Sequence, residues 1–115
     1  MYHRSRWDTL AQGPMTESTI RAIHNAPERA RVSRYDYEAG DEIEGTSMPC
    51  TGYVLEGRLT LVSEEGTASF EPGDVFAFSG GNYVLKINSP AAAVVVWAWE
   101  LPDHFARTYA SVGKD

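Results

Sequence analysis

Between Gly52 and Asn88 the chain alternates short apolar runs with breaks that carry glycine or proline, and this alternation restricts the fold more than any other feature. The stretch opens Gly-Tyr-Val-Leu-Glu-Gly-Arg-Leu-Thr-Leu-Val and crosses a polar turn at Ser63–Gly66. From Ala68 it reads Ala-Ser-Phe-Glu-Pro-Gly-Asp-Val-Phe-Ala-Phe-Ser-Gly-Gly. Val54–Leu55 and Leu59–Leu61 flank Gly57, and Pro72-Gly73-Asp74 separates the next pair of runs. Each run is too short for a helix that buries a face. Its β-branched and aromatic residues suit a pleated, half-buried surface, while Gly and Pro supply the backbone angles of turns.

The rest of the chain extends the pattern. Strands are expected at Ala30–Glu38, Glu42–Thr46, Thr51–Leu55, Arg58–Val62, Thr67–Phe70, Val75–Phe78, Tyr83–Asn88 and Ala92–Leu101. Most are separated by turn residues at roughly 8–12-residue spacing, which indicates an all-β sandwich or barrel. In the first of these strands Tyr35 and Tyr37 share one face, and Arg34 and Asp36 the other. Pro102–Val112 is expected to close the chain as a helix: Asp103 stands near its start, and Phe105, Tyr109 and Val112 follow helical spacing. Thr16–His24 reads two ways. Thr16 or Ser18 would cap a helix, whereas alternation of Ile20 and Ala22 with Arg21 and Ile23 suits a strand. The strand is favoured because everything after it is β. The division expected is an irregular N-terminal arm at 1–16, a barrel at 17–101, and a C-terminal helix and tail at 102–115. Trp7 and Leu10 would pack the arm back on the body, unless it is a flexible arm or a strand lent to a partner subunit.

Bulk properties narrow the functions. With 115 residues the chain is long enough for one core without staples. A net charge of −6 argues against nucleic acid as the main partner. The longest apolar run, Ala91–Trp99, is strand-sized, so no membrane span is expected. Arg4 and Arg6 precede no apolar segment, so no signal peptide is expected, and the single cysteine, Cys50, fits a reducing cytoplasm.

At Gly52–Asn88 the sequence resembles the cupin superfamily. Tyr53-Val54-Leu55-Glu56-Gly57 is similar to the end of the first cupin motif, and Gly73, Gly81 and Asn88 match offsets of the second. The 15 residues between Gly57 and Gly73 fit the family's compact inter-motif spacing. The resemblance spans about residues 32–100. It implies a double-stranded β-helix, a jelly-roll barrel with a ligand pocket at one open end, and a homodimer. Metal-binding members carry two His and a Glu in the first motif and a His in the second. Here the Glu position is Cys50, the His positions are Glu44 and Thr46 (or Thr46 and Met48, because the loop after Gly40 is short), and the second-motif His position is Val84. His3, His24 and His104 lie outside both motifs. About three well-placed ligands are needed for a catalytic metal, so no metal and no cofactor is expected.

In this fold the motif positions point into the pocket. Strand parity then directs Glu44 and Thr46 inward, with Cys50, Gly52 and Val54 on the next strand and Val84, Lys86 and Asn88 on a third. On the last strand either Val95, Trp97 and Trp99 or Val94, Val96 and Ala98 face inward. Glu44 and Lys86 are the candidate acid–base pair, since a carboxylate and an amine in a part-dry barrel tune each other's pKa; the competing reading is a structural ion pair or a rim lysine. Trp97 and Trp99 would stack a planar ligand or pack against other elements. Tyr35, Tyr37, Tyr53 and Tyr83 offer hydroxyls, and Thr46 and Val84 wall positions. Arg34 offers a fork for an anion, or a surface pair with Asp36 or Asp41. Cys50 reads as a small core residue before a nucleophile or ligand.

Three functions follow. The first is a metal-independent cupin that binds a small polar or partly aromatic molecule, leaning to an isomerase or a lyase of the dehydratase type. The second is a non-catalytic sensor or accessory subunit, favoured by an apolar pocket without a convergent acid–base pair. The third is an atypical metal-dependent oxygenase.

Overall fold

A computed structural model describes residues 2–24 and 30–100. Nine strands and two short helices occur among them, in the order β1 (His3–Arg6), α1 (Thr9–Gln12), α2 (Glu17–Ile23), β2 (Ala30–Tyr37), β3 (Glu42–Ser47), β4 (Cys50–Glu56), β5 (Leu59–Ser63), β6 (Gly66–Phe70), β7 (Asp74–Phe78), β8 (Gly81–Lys86) and β9 (Ala93–Glu100). All ladders are antiparallel. They build a five-stranded sheet, β1-β7-β4-β9-β2, and a four-stranded sheet, β3-β8-β5-β6. The two packed antiparallel sheets are the all-β architecture expected from the sequence.

The two sheets enclose the main core. Val54 (β4), Leu59 and Leu61 (β5), Phe70 (β6), Phe76 and Phe78 (β7), Leu85 (β8) and Val95 (β9) are buried together there. Phe70 and Phe76 stack with ring centroids 3.9 Å apart, and Trp97 meets Phe76 edge-on at 5.5 Å. Gly52 is required beneath this stack. A Cβ at that position would lie 2.4 Å from Phe76 Cζ. Gly57 serves a different need: its φ of 75° turns β4 into β5 where Ala92 and Ala93 leave no room for a side chain.

A second cluster covers the outer face of the five-stranded sheet. Ile20 of α2 is fully buried against Tyr53, Val96 and Ala98, with Trp7, Met15 and Val32 packed around them. Strand β9 is therefore buried on both faces, which explains its nearly unbroken apolar run. Its inward set is Val95, Trp97 and Trp99, and Val96 and Ala98 lie under α2.

Three sequence expectations concern the termini. Thr16–His24 is a helix, not the favoured strand. The Thr16 hydroxyl accepts from the Thr19 amide (3.2 Å), Thr19 Oγ1 accepts from the Thr16 amide (2.9 Å), and Arg21 pairs with Glu17 at 2.8 Å one turn away. This reciprocal cap satisfies two amides at the helix N-terminus, the ion pair adds side-chain support one turn along, and Ile20 supplies the buried face. The arm at 1–16 is not irregular throughout either: His3–Arg6 pairs with β7 of the same chain, and Trp7 packs inward while Leu10 stays fully exposed. Arg6 donates to the buried carboxylate of Asp74 at 2.8 Å, fastening β1 to the sheet edge. The helix expected at Pro102–Val112 lies outside the described residues. Among those residues no helix is long and apolar enough to cross a membrane.

Candidate functional site

A cavity of about 640 Å³ opens between the two sheets at one end of the sandwich. Its wall draws on seven strands and the β3–β4 loop. Tyr35 and Tyr37 come from β2, Thr46 and Ser47 from β3, Met48 from the loop and Cys50 from β4. Leu61, Phe78, Tyr83 and Leu85 form the far wall and floor; Trp97 and Trp99 line the β9 side. Ala30 and Arg31, at the start of β2, complete the rim.

Aromatic rings dominate this wall and brace one another. Tyr35 contacts Tyr37 and Trp99 at centroid distances of 6.0 and 6.4 Å, and Phe78 meets Tyr83 edge-on at 6.1 Å. Both indoles are oriented by hydrogen bonds. Trp97 Nε1 donates to the Tyr37 hydroxyl at 3.0 Å, and Trp99 Nε1 donates to Ser47 Oγ at 3.0 Å. The Ser47 hydroxyl in turn donates to the Met48 carbonyl at 2.8 Å, with Cys50 Sγ at 3.9 Å. Since Tyr37 accepts from Trp97, its own proton is free to be donated.

Burial sets the protonation of the wall. It pushes the Tyr37 phenol well above the ordinary tyrosine range and raises Tyr83 in the same sense. It pushes the Cys50 thiol up to about 11. All three stay neutral near pH 7, and a protonated, buried thiol is a poor nucleophile. Cys50 is thus a core residue that touches the cavity.

The expected site residues separate into two groups. Tyr35, Tyr37, Cys50, Trp97 and Trp99 lie on the cavity wall, and Thr46 reaches its rim while donating to Asn82 at 2.7 Å. Glu44, Lys86 and Val84 do not line it. Within β3 and β8 the inward set is Ile43 with Tyr83 and Leu85; Glu42, Glu44 and Lys86 face outward. Lys86 pairs with Glu42 at 3.8 Å across the exposed surface. The motif-based parity was off by one residue on both strands, and one residue of slip exchanges every side chain between faces. Arg34 is also outside. It lies on the helix side of β2 and pairs with Asp36 at 3.0 Å and Glu17 at 3.9 Å. Tyr53 belongs to the cluster under α2, where its hydroxyl meets His24 Nε2 at 2.8 Å.

The sequence did not single out Ala30, Arg31, Ser47, Leu61, Phe78 and Leu85 as wall residues, and it offered Met48 only as an alternative motif position. For Arg31 the signal was present: it shares the parity of Tyr35 and Tyr37. The metal positions of the fold are equally informative. Among the described residues no group of three or more His, Cys, Asp and Glu side chains stands close enough to hold an ion, and the cavity wall contributes one thiol and one thioether. That donor set does not fit the resident transition metal of metal-binding cupins.

Solved structures of similar architecture include cupin domains. The cupin domain of Schizosaccharomyces pombe Cnp3 superposes with a TM-score of 0.61 at 15% identity, covering 71% of this chain and 63% of that one. The cupin domain of an XRE-family transcriptional regulator from Enterobacter cloacae gives 0.60 at 12% identity, covering 88% and 97%. A cupin superfamily protein from Desulfitobacterium hafniense gives 0.57 at 8% identity, covering 89% and 79%. Likeness at such identities establishes the fold. No protein-family model matches the chain, and no curated protein is significantly similar to it in sequence.

Proposed function

We propose that this cupin-fold chain is a non-catalytic small-molecule-binding protein, a sensor or accessory subunit, whose ligand is planar and partly aromatic. The observation that carries the reading is the wall of the 640 Å³ cavity. Its size suits a small organic ligand. Trp97, Trp99 and Tyr35 offer ring faces, and the Tyr37 proton offers one oriented donor. Rings held by mutual contacts and hydrogen bonds lose little freedom on binding, so ordering them costs little.

The isomerase or lyase reading required Glu44 and Lys86 in a shared cavity, and both project from the opposite face of their sheet. Proton abstraction needs a base within reach of the substrate. Among the described residues the cavity wall has no carboxylate, imidazole or amine. An oxygenase would need a metal, which the wall's donor set does not fit. As part of the same proposal the chain is taken as a cytoplasmic homodimer. This extends the fold resemblance and the single reduced cysteine, and gel filtration with light scattering checks the dimer.

A thermal-shift panel of small polar and aromatic compounds tests the proposal. Compounds that raise the melting temperature should lose their effect in Trp99→Ala and keep it in Glu44→Gln. Hits indifferent to Trp99→Ala, or abolished by Glu44→Gln, overturn it.

A further inference from the structure

We infer that the cavity selects an aromatic monocarboxylate, with Arg31 as the anchor of its carboxylate. The inference rests on the cavity being a binding site and adds the chemical class of the ligand. Antiparallel register pairs Arg31 with Trp99, Ser33 with Trp97 and Tyr35 with Val95. Side chains two apart on a strand share a face, so Arg31 projects from the same face as Tyr35 and Tyr37, alongside Trp99. It lines the cavity at its rim and is exposed.

Two features set Arg31 apart. It is the one charged side chain of the described cavity wall. It also makes no ion pair or side-chain hydrogen bond among the described residues, whereas Arg6, Arg21 and Arg34 are each matched with a carboxylate. A guanidinium fork fits a carboxylate through two parallel N–H donors. The chain's net charge of −6 repels anions at large, so the attraction for one at this mouth is the local field of Arg31. One guanidinium balances one negative charge. A phosphate dianion would call for a second cation, and the two weighed from the sequence, Arg34 and Lys86, are paired with carboxylates outside the cavity. The rings behind Arg31 supply stacking surface for the ligand's body, and Tyr37 supplies a donor deeper in.

Calorimetric titration with 2-naphthoate and its neutral amide, 2-naphthamide, tests this on the full chain. The naphthoate should bind about tenfold more tightly than the amide, the low end for a charge-assisted hydrogen bond because Arg31 is at the rim. Arg31→Gln should remove that difference by weakening the naphthoate alone, and Arg31→Lys should retain part of it. Arg31 is exposed, so these variants should keep the parent's circular dichroism and melting temperature. If acid and amide bind the parent equally, or Arg31→Gln weakens both alike, the inference fails and the binding function stands. If neither compound binds the parent, the aromatic-carboxylate class is wrong. A neutral compound that co-purifies in native mass spectrometry would likewise uphold the binding function while overturning this class.

Discussion

Replacing Gly52 by alanine probes the packing on which the cavity floor depends. Gly52 is a β4 residue opposite Phe76 on β7 and Trp97 on β9. An added Cβ would stand 2.4, 2.6 and 3.0 Å from three atoms of the Phe76 ring. Ordinary carbon contacts lie near 3.5–4.0 Å, so the ring must move by about 1 Å. It has nowhere to go: Phe76 is fully buried, stacked on Phe70 at 10° between planes and held edge-on by Trp97. Overpacking of this kind costs about 1–3 kcal/mol, and the depth of the overlap points to the upper end. The loss of glycine's unfolded-state freedom returns about 0.4–1 kcal/mol. The net expectation is about 2 kcal/mol of destabilisation, or roughly 8 °C in melting temperature for a domain of this size. Gly45→Ala is the control. Its Cβ would meet the hydroxyl end of Tyr83 at 2.8 Å, but that ring borders the cavity and can swing aside. Its cost should stay below about 1 kcal/mol. Thermal melts by circular dichroism, with urea midpoints at constant m-value, read both variants. A Gly52→Ala protein melting within about 2 °C of the parent would refute the stacked-core reasoning.

Three further expectations concern the wall itself. Tyr37→Phe strands the Trp97 indole N–H, which now donates to the Tyr37 hydroxyl; an unsatisfied buried donor costs about 1–3 kcal/mol, and a urea midpoint equal to the parent's would contradict the bond. Cys50 should react with alkylating reagents far more slowly in the folded than in the unfolded protein at pH 8. Because burial raises its folded pKa to about 11, the thiol contributes stability in full below the ordinary thiol range. That contribution is lost as pH climbs through the window up to about 11. Relative to Cys50→Ala, the parent's urea midpoint should fall across that interval; a constant difference would show that the thiol is not desolvated.

The strands were legible because their residues and turns agree at every level. Period-two alternation, glycine and proline breaks and the Gly73–Asn88 offsets all pointed to one architecture. Thr16–His24 was misjudged because its β neighbours were weighed above its own chemistry, yet the Thr16–Thr19 cap and the Glu17–Arg21 pair are local helix signals. The site was only half legible. Tyr35 and Tyr37 follow from aromatic placement at alternate positions of one strand, and Trp97 and Trp99 from one of the two faces left open for the last strand. Glu44 and Lys86 did not, because motif offsets placed both strands one residue out of phase, which turns each side chain to the other face. The apolar parity of Ile43, Leu85 and Ile87 marks the inner face of β3, β8 and the residue just beyond it more directly than those offsets do. Parity alone separates Arg31 from Arg34 as the pocket cation: Arg31 shares the face of Tyr35 and Tyr37, and Arg34 that of Asp36.

The binding cavity is tested most directly by the three tryptophan indole resonances in a ¹H–¹⁵N correlation spectrum, followed during titration with small planar aromatic compounds. Trp97 and Trp99 donate their indole protons inside the cavity, to Tyr37 and Ser47, whereas Trp7 donates to the Gly13 carbonyl on the far side of the sheet. The account predicts saturable shifts of the Trp97 and Trp99 signals while the Trp7 signal stays fixed. Titrations that move the Trp7 signal alone, or leave all three in place for every compound, would contradict it.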